Sequence, residues 1–312
     1  MSTVNQVKSE AGMGRRGVST RKKSIWNPGQ IILVVIVMLL SLTCVLPFIN
    51  ILALSLSSKS AIIQGKVTLW PVEFTTETYK FLLKNDEMVS SLGYTVVITL
   101  AYTAFAMILT ILMAYPLTKQ RMKGRKFFNF LALFTMYFSG GIIPIYQNIN
   151  DLGLMNTAWA LILPGMLSTY NMIIMKSFFT SLPGELEEAA TIDGANDFQI
   201  LVRVYLPLSL ASIATLTLFY AVGKWNSFQD ALYYIQDRSL QPLQLKLYNA
   251  INGATKAVDT ANAEGGSMQA ANAVSESVKY ATIIFATVPI LVVYPFVQRY
   301  FVSGVTIGAV KG

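Results

Sequence analysis

Six long apolar runs constrain this chain more than any other feature. They lie at about 31–56, 91–117, 127–147, 158–177, 206–223 and 279–297, and hold no Asp, Glu, Lys or Arg except near their ends, as at Lys176 and Lys279. A helix needs about 20 apolar residues to cross roughly 30 Å of hydrocarbon. With no water in the bilayer core, each run must satisfy its own backbone, so each is predicted to be a helix. Composition agrees: 13% of the 312 residues are charged, about half the share usual in soluble domains. The fold class expected is an all-α integral membrane protein with six transmembrane helices.

The cations read as topology signals rather than a nucleic-acid footprint. Lys8, Arg15, Arg16, Arg21, Lys22 and Lys23 precede the first run, and Lys119, Arg121, Lys123, Arg125 and Lys126 follow the second. The loop at 148–157 has no Lys or Arg. The positive-inside rule then places the N-terminus in the cytoplasm, and six spans return the C-terminus there. The first run is too long for the apolar core of a cleaved signal peptide, so it is expected to remain as an anchor. The layout expected is a basic cytoplasmic tail at 1–24, a first span within 25–56, an outer loop at 57–90 and a core transmembrane domain at 91–298. That core carries a cytoplasmic loop at 183–205 and an outer loop at 224–278, and a cytoplasmic tail follows at 299–312. Within the outer loops, "TTETYKFLLKND" fits a short surface helix. Leu243, Leu247 and Ile251 recur at helical spacing, while the Ala-, Asn-, Gly- and Ser-rich 252–277 reads as flexible.

Several chemistries are excluded. There is no histidine, and the single Cys44 has no partner for a disulfide. No Gly-x-x-x-x-Gly-Lys-Ser/Thr loop is present to cradle a nucleotide. No ionisable group sits within a run, where a proton or sodium relay would be placed. A self-sufficient secondary transporter and a membrane-embedded enzyme are therefore weaker alternatives. Any partner of such a chain needs a docking surface.

The loop "GELEEAATIDGANDFQILVRVYLP" (184–207) offers one, with five carboxylates, Glu185, Glu187, Glu188, Asp193 and Asp197, between two apolar runs. Pro183 suits a first helical position. Leu186, Ala189 and Ala190 then share a face at i, i+3 and i+4, beside a ridge formed by Glu185 and Glu188. Asp193-Gly194 is expected to end this helix, with Gly194 left-handed. Asn196 is placed to cap a second helix, with Gln199 three residues on. Phe198, Leu201, Val202 and Tyr205 supply its apolar stripe, and Pro207 stands near the start of the next span. Spacing alone leaves two possibilities, a docking helix–turn–helix or a solvated connector.

At these residues the sequence resembles a family. Glu188-Ala189-Ala190, Asp193-Gly194-Ala195 and Leu206-Pro207 match the EAA motif of binding-protein-dependent ABC importer permeases. "DLGLMNTAWALILP" (151–164), "KWNSFQDAL" (224–232) and "GVTIGAVKG" (304–312) resemble its carbohydrate branch, the one related to maltose and complex-oligosaccharide importers. The resemblance runs from about residue 30 to the end. It implies the type I permease fold in a bacterial cell membrane. It also implies a second permease subunit, two ATPase subunits, an extracytoplasmic solute-binding protein and an oligosaccharide substrate. No cofactor is expected on this chain, since ATP and Mg belong to the partner ATPase; nucleic acid is not an expected partner. A peptide cargo is the alternative within the same family.

The resemblance further implies that the EAA segment is a coupling helix seated in the ATPase. Glu185, Leu186, Glu188, Ala189, Ala190, Asp193, Gly194, Ala195, Phe198, Leu206 and Pro207 form that loop, and Glu188 pairs with a basic residue of the ATPase. Thr306, Gly308 and Lys311 in the tail are expected to reach the ATPase as well. For a neutral sugar, aromatic faces and amides are the natural contacts. Tyr137, Tyr146, Gln147, Asn148, Tyr170, Asn171, Trp225 and Asn226 are the candidates along a substrate path, with an interfacial aromatic belt as the competing role.

Overall fold

A computed structural model describes residues 28–264 and 276–295. The tails at 1–24 and 299–312, including Thr306, Gly308 and Lys311, lie outside the described residues. The chain divides into two units, up to Phe48 and from Ile49 onward. The first consists of most of α1 (Pro28–Ser55), a helix carrying Pro47. From Ile31 to Leu40 its apolar side chains are exposed, as suits a surface that meets lipid or another helix.

The second unit is built around α4 (Asp86–Thr118). Asn85 caps it by accepting from the Glu87 and Met88 amides, and Asp86 and Glu87 in its first turn suit the positive end of the helix dipole. Its buried face reads Ser91, Thr95, Ile98, Thr99, Thr103, Ala106, Met107, Thr110, Ala114 and Leu117. Lipid is as apolar as a core leucine, so association between spanning helices rests on close packing and hydrogen bonds, which small and hydroxylated residues permit. The helices that use this face most are α8 (Thr169–Ser181) and α12 (Leu210–Asn226). Met172, Met175, Phe179, Leu216 and Tyr220 fill the space between them. Thr110 Oγ1 and the Tyr220 hydroxyl meet at 2.7 Å inside that core, and the same hydroxyl accepts from the Ser168 amide at 3.2 Å.

Among the described residues, three helices are long and apolar enough to cross a membrane: α1, α4 and α15 (Glu276–Pro295). The count rises to five if each of two bent pairs is one span. The other expected runs are broken. The third divides into α5 (Arg125–Tyr137) and α6 (Ile142–Asp151), bent by 113°; Gly140 and Gly141 at the break are poor helix formers. The fourth divides into α7 (Ala158–Ile162) and α8. Pro164 lacks the donor to continue α7, and Gly165 takes φ +69°, a conformation other residues rarely adopt. The Tyr102 hydroxyl donates to the Gly165 carbonyl at 2.8 Å, satisfying one backbone group freed by the break. The fifth bends by 84° at Ser209. Upstream, Leu201–Tyr205 is π-helical, where the Pro207 ring clashes with a preceding carbonyl and disturbs the ladder.

The short outer helix expected near residue 77 is α3 (Glu77–Lys84). The segment read as flexible from 252 is instead helical as far as Glu264, within α14 (Leu243–Glu264). Its alanines outweigh the single Gly253 in helix propensity. Leu243 and Leu247 pack as their spacing predicted, in a cluster with Leu82, Met88 and Ala281.

Candidate functional site: the elbow at 183–207 and its attachment

The elbow forms as its sequence dictates. Pro183 occupies the N-cap position, one residue ahead of the first-turn placement expected, and α9 runs Gly184–Ile192. The Gly194 amide donates to the Thr191 carbonyl at 3.0 Å and the Ala195 amide to the Ala190 carbonyl at 3.0 Å. These two bonds define a Schellman turn with glycine at its left-handed position, and Gly194 has φ +81°. Ala190 and Ala195, on either side of the turn, both pack against the main core. The next helix, α10 (Asp197–Ile200), starts with a complete capping box. Asn196 Oδ1 accepts from the Gln199 amide at 2.9 Å, and Gln199 Oε1 accepts from the Asn196 amide at 2.9 Å. The chain continues through the π turn into α11 (Leu206–Leu208), where Leu206 packs on the core and Pro207 is exposed.

One face of the elbow is fastened to the bundle. Lys119, just past the end of α4, donates to Glu187 Oε2 at 2.6 Å and to the Tyr205 hydroxyl at 3.1 Å. Tyr205 in turn donates to the same carboxylate oxygen at 2.7 Å. The ammonium also lies 4.2 Å from each ring centroid of Tyr115 and Tyr205, where the aromatic faces attract a cation. Beside it, Arg121 pairs with Asp197. Burial pushes the Glu187 carboxyl up, but the bonds from Lys119 and Tyr205 and the charges of Lys119 and Arg121 outweigh it and hold the group below the ordinary carboxylate range. Each partner in this cluster satisfies another, the condition under which a partly buried charge is tolerated.

The opposite face is unengaged. Glu185, Leu186, Glu188, Ala189, Asp193 and Phe198 are exposed, and Ile192 is 86% exposed. Glu185 and Glu188 make no ion pair among the described residues. The predicted stripe of the second helix is split: Leu201 and Tyr205 are buried, whereas Phe198 and Val202 face outward. Sequence reasoning missed Lys119, Glu187 and Tyr205 as a group. The available signal was helical spacing: Glu187 and Ala190 stand three apart, so they share a face distinct from that of Glu185 and Glu188.

The expected substrate-path residues are not gathered into one site. Tyr137 is exposed at the end of α5, and Gln147 and Asn148 are exposed on α6. Tyr170 is exposed while the adjacent Asn171 is buried. Trp225 is buried and donates to the Ala286 carbonyl at 3.3 Å. Asn226 donates to the Val222 carbonyl within its own helix. Of the eight, Tyr146 approaches another aromatic, Tyr234, at 6.2 Å between ring centroids. Helix breaks at 138–141 and 163–168 redirect the segments that a straight-helix reading would align.

Among the described residues the regular structure is helical, with apolar helices long enough to cross a membrane and a charged elbow at 183–207, the makings of a membrane transport subunit. The chain belongs to the family of binding-protein-dependent transport system inner membrane components, whose profile matches residues 90–307. It is therefore the permease component of an ABC importer. It is 43% identical to Protein LplC of Bacillus subtilis (strain 168), over 86% of this chain and 90% of that protein. It is 40% identical to the polygalacturonan/rhamnogalacturonan transport system permease protein YtcP of the same organism, over 88% of this chain and 95% of that one. Among solved structures, a chain of a bacterial ABC transporter involved in the import of the acidic polysaccharide alginate superposes with a TM-score of 0.78. The two are 32% identical, with 88% of this chain and 96% of that one covered.

Proposed function

We propose that this permease carries a sugar or oligosaccharide across the bacterial cell membrane, driven by ATP hydrolysis on separate subunits. An extracytoplasmic binding protein delivers the cargo, and this chain pairs with a second permease subunit. Six spans keep both termini in the cytoplasm, with the broken segments α5–α6, α7–α8 and α10–α12 each counted as one. Relatives named for polygalacturonan/rhamnogalacturonan transport and alginate import support a carbohydrate cargo.

The two-faced elbow carries the mechanism. Its inner face is bonded to the end of α4 through Lys119, Glu187 and Tyr205, and its outer face presents Glu185, Leu186, Glu188, Ile192 and Phe198 to a partner. Two ATPase subunits that close on ATP and Mg move the elbow, and the bonded face passes that displacement to the spanning helices. The path for the cargo then opens outward, and hydrolysis resets it inward. Such a shift requires the partner to grip the elbow differently in the two states.

The test is reconstitution. The isolated chain in vesicles is expected to hydrolyse no ATP and move no solute. The assembly with its ATPase, second permease and binding protein is expected to do both. Uptake driven by a proton or sodium gradient in the isolated chain would contradict the proposal.

A further inference from the structure

A cavity of about 590 Å³ opens where the breaks of the third and fourth expected spans face the end of α12, within the usual size range for small-ligand sites. Its polar lining includes Tyr102, Lys224, Gln229, Asp230, Tyr233 and Tyr234. Asp230, Tyr233 and Tyr234 belong to α13 (Gln229–Tyr234), a helix of 6 residues. Lys224 is the unusual member. Its side chain is 7% exposed, with Nζ at 3.1 Å from Asp230 Oδ2 and the ammonium 4.9 Å from the Tyr102 ring centroid. Asp230, by contrast, is 32% exposed.

A buried cation must stay paired, because leaving it alone in a low dielectric is costly. The pair is asymmetric: the lysine is fixed in a long packed helix, and the aspartate rides on a short one near solvent. A carboxylate arriving in the cavity can replace Asp230 on Lys224 without stranding the ammonium, while Asp230 turns to water. A neutral sugar has no group that can make this exchange. Tyr233 and Tyr234 supply aromatic faces for a sugar ring and Gln229 an amide for its hydroxyls.

We infer that this cavity takes a carboxylate-bearing sugar, with Lys224 as its counter-ion and Asp230 as the group that holds the site neutral when empty. The inference rests on the importer assignment and narrows its cargo to uronate-type oligosaccharides.

The test measures binding of trigalacturonate and of its fully methyl-esterified, neutral form to the complete detergent-solubilised importer without its binding protein. The native complex is expected to bind the acid at least about tenfold more tightly than the ester. Lys224→Gln is expected to abolish that difference and Lys224→Arg to keep it. Asp230→Asn is expected to tighten acid binding, since the internal competitor is gone. No preference in the native complex, a preference that survives Lys224→Gln, or unchanged or weaker acid binding in Asp230→Asn would overturn the inference. ATP hydrolysis is then followed in the same preparations after the binding protein is added. If hydrolysis persists while the preference is absent, the cargo inference alone falls; if no ATPase copurifies, the importer mechanism itself falls.

Discussion

Lys119 Nζ and Glu187 Oε2 lie 2.6 Å apart although 68 positions separate them in the chain. The contact fastens the C-terminal end of the central helix α4 to the elbow helix α9. Tyr205, one residue before the fifth expected span, closes the same cluster. The elbow is thereby bonded to the end of the central spanning helix.

Breaking this contact should uncouple the elbow without abolishing the fold. Removing one partner of a buried pair costs about 3–5 kcal/mol, and less where water reaches one member, as it does Glu187. Lys119→Met and Glu187→Leu are each expected to lower the thermal midpoint in detergent and to reduce uptake more than they reduce assembly. The double variant is expected to recover stability relative to the sum of the singles, because no charge is left stranded. Strict additivity in the cycle would show that the two residues do not act together.

The same cluster sets a pH dependence. Glu187 has its folded-state value depressed, below about 4.3 for a free glutamate. Its contribution is therefore full above that value and is lost as pH falls through the folded value. The stability gap between the native chain and Glu187→Gln should be widest near neutrality and close in acid below about pH 4. Thermal unfolding across a pH series reads this directly; a gap constant down to pH 3 would show that the carboxylate charge is irrelevant.

Gly194 at φ +81° holds the angle between the two elbow helices. A β-branched side chain there costs about 1–3 kcal/mol of local strain. Gly194→Val is expected to insert into the membrane normally but to bring down less ATPase on purification. A conserved yield of complex with full uptake would mean that the turn geometry does not matter.

These turns were legible in the sequence because each is local. Gly194 after Asp193, and Asn196 three residues before Gln199, specify a Schellman turn and a capping box without reference to the rest of the fold. The Lys119–Glu187–Tyr205 cluster was not legible, since its members come from three separate segments and Lys119 sits in a basic loop where every cation reads as a topology signal. The helix breaks fell between these cases. Gly140, Gly141, Pro144, Pro164 and Gly165 are visible as weak points, yet hydropathy registers a run and not its direction. Hydropathy therefore gives no direct sign of the bends of 113° and 84°. Lys224, the first residue of the expected outer loop at 224–278, is a buried, paired cation.

Inside the bundle, Tyr220 holds Thr110 and the Ser168 amide together. Tyr220→Phe should lower stability by about 1 kcal/mol, typical of a hydrogen bond between spanning helices. Combining it with Thr110→Val should cost little more, since the partner hydroxyl is no longer orphaned. Equal and additive losses would indicate that the two hydroxyls are satisfied elsewhere.

The account stands or falls on what touches the outer face of the elbow. The chain has one cysteine, Cys44, so a Cys44→Ser background carrying Phe198→Cys places a single thiol on that face, where Phe198 is 68% exposed. In the assembled importer, a short crosslinker is expected to join residue 198 to an ATPase subunit, with a yield that changes between nucleotide-free and ATP-bound complexes. A thiol that remains free to solvent reagents in every nucleotide state, in a complex that still transports, would contradict the claim that the elbow is where ATP hydrolysis is coupled to this permease.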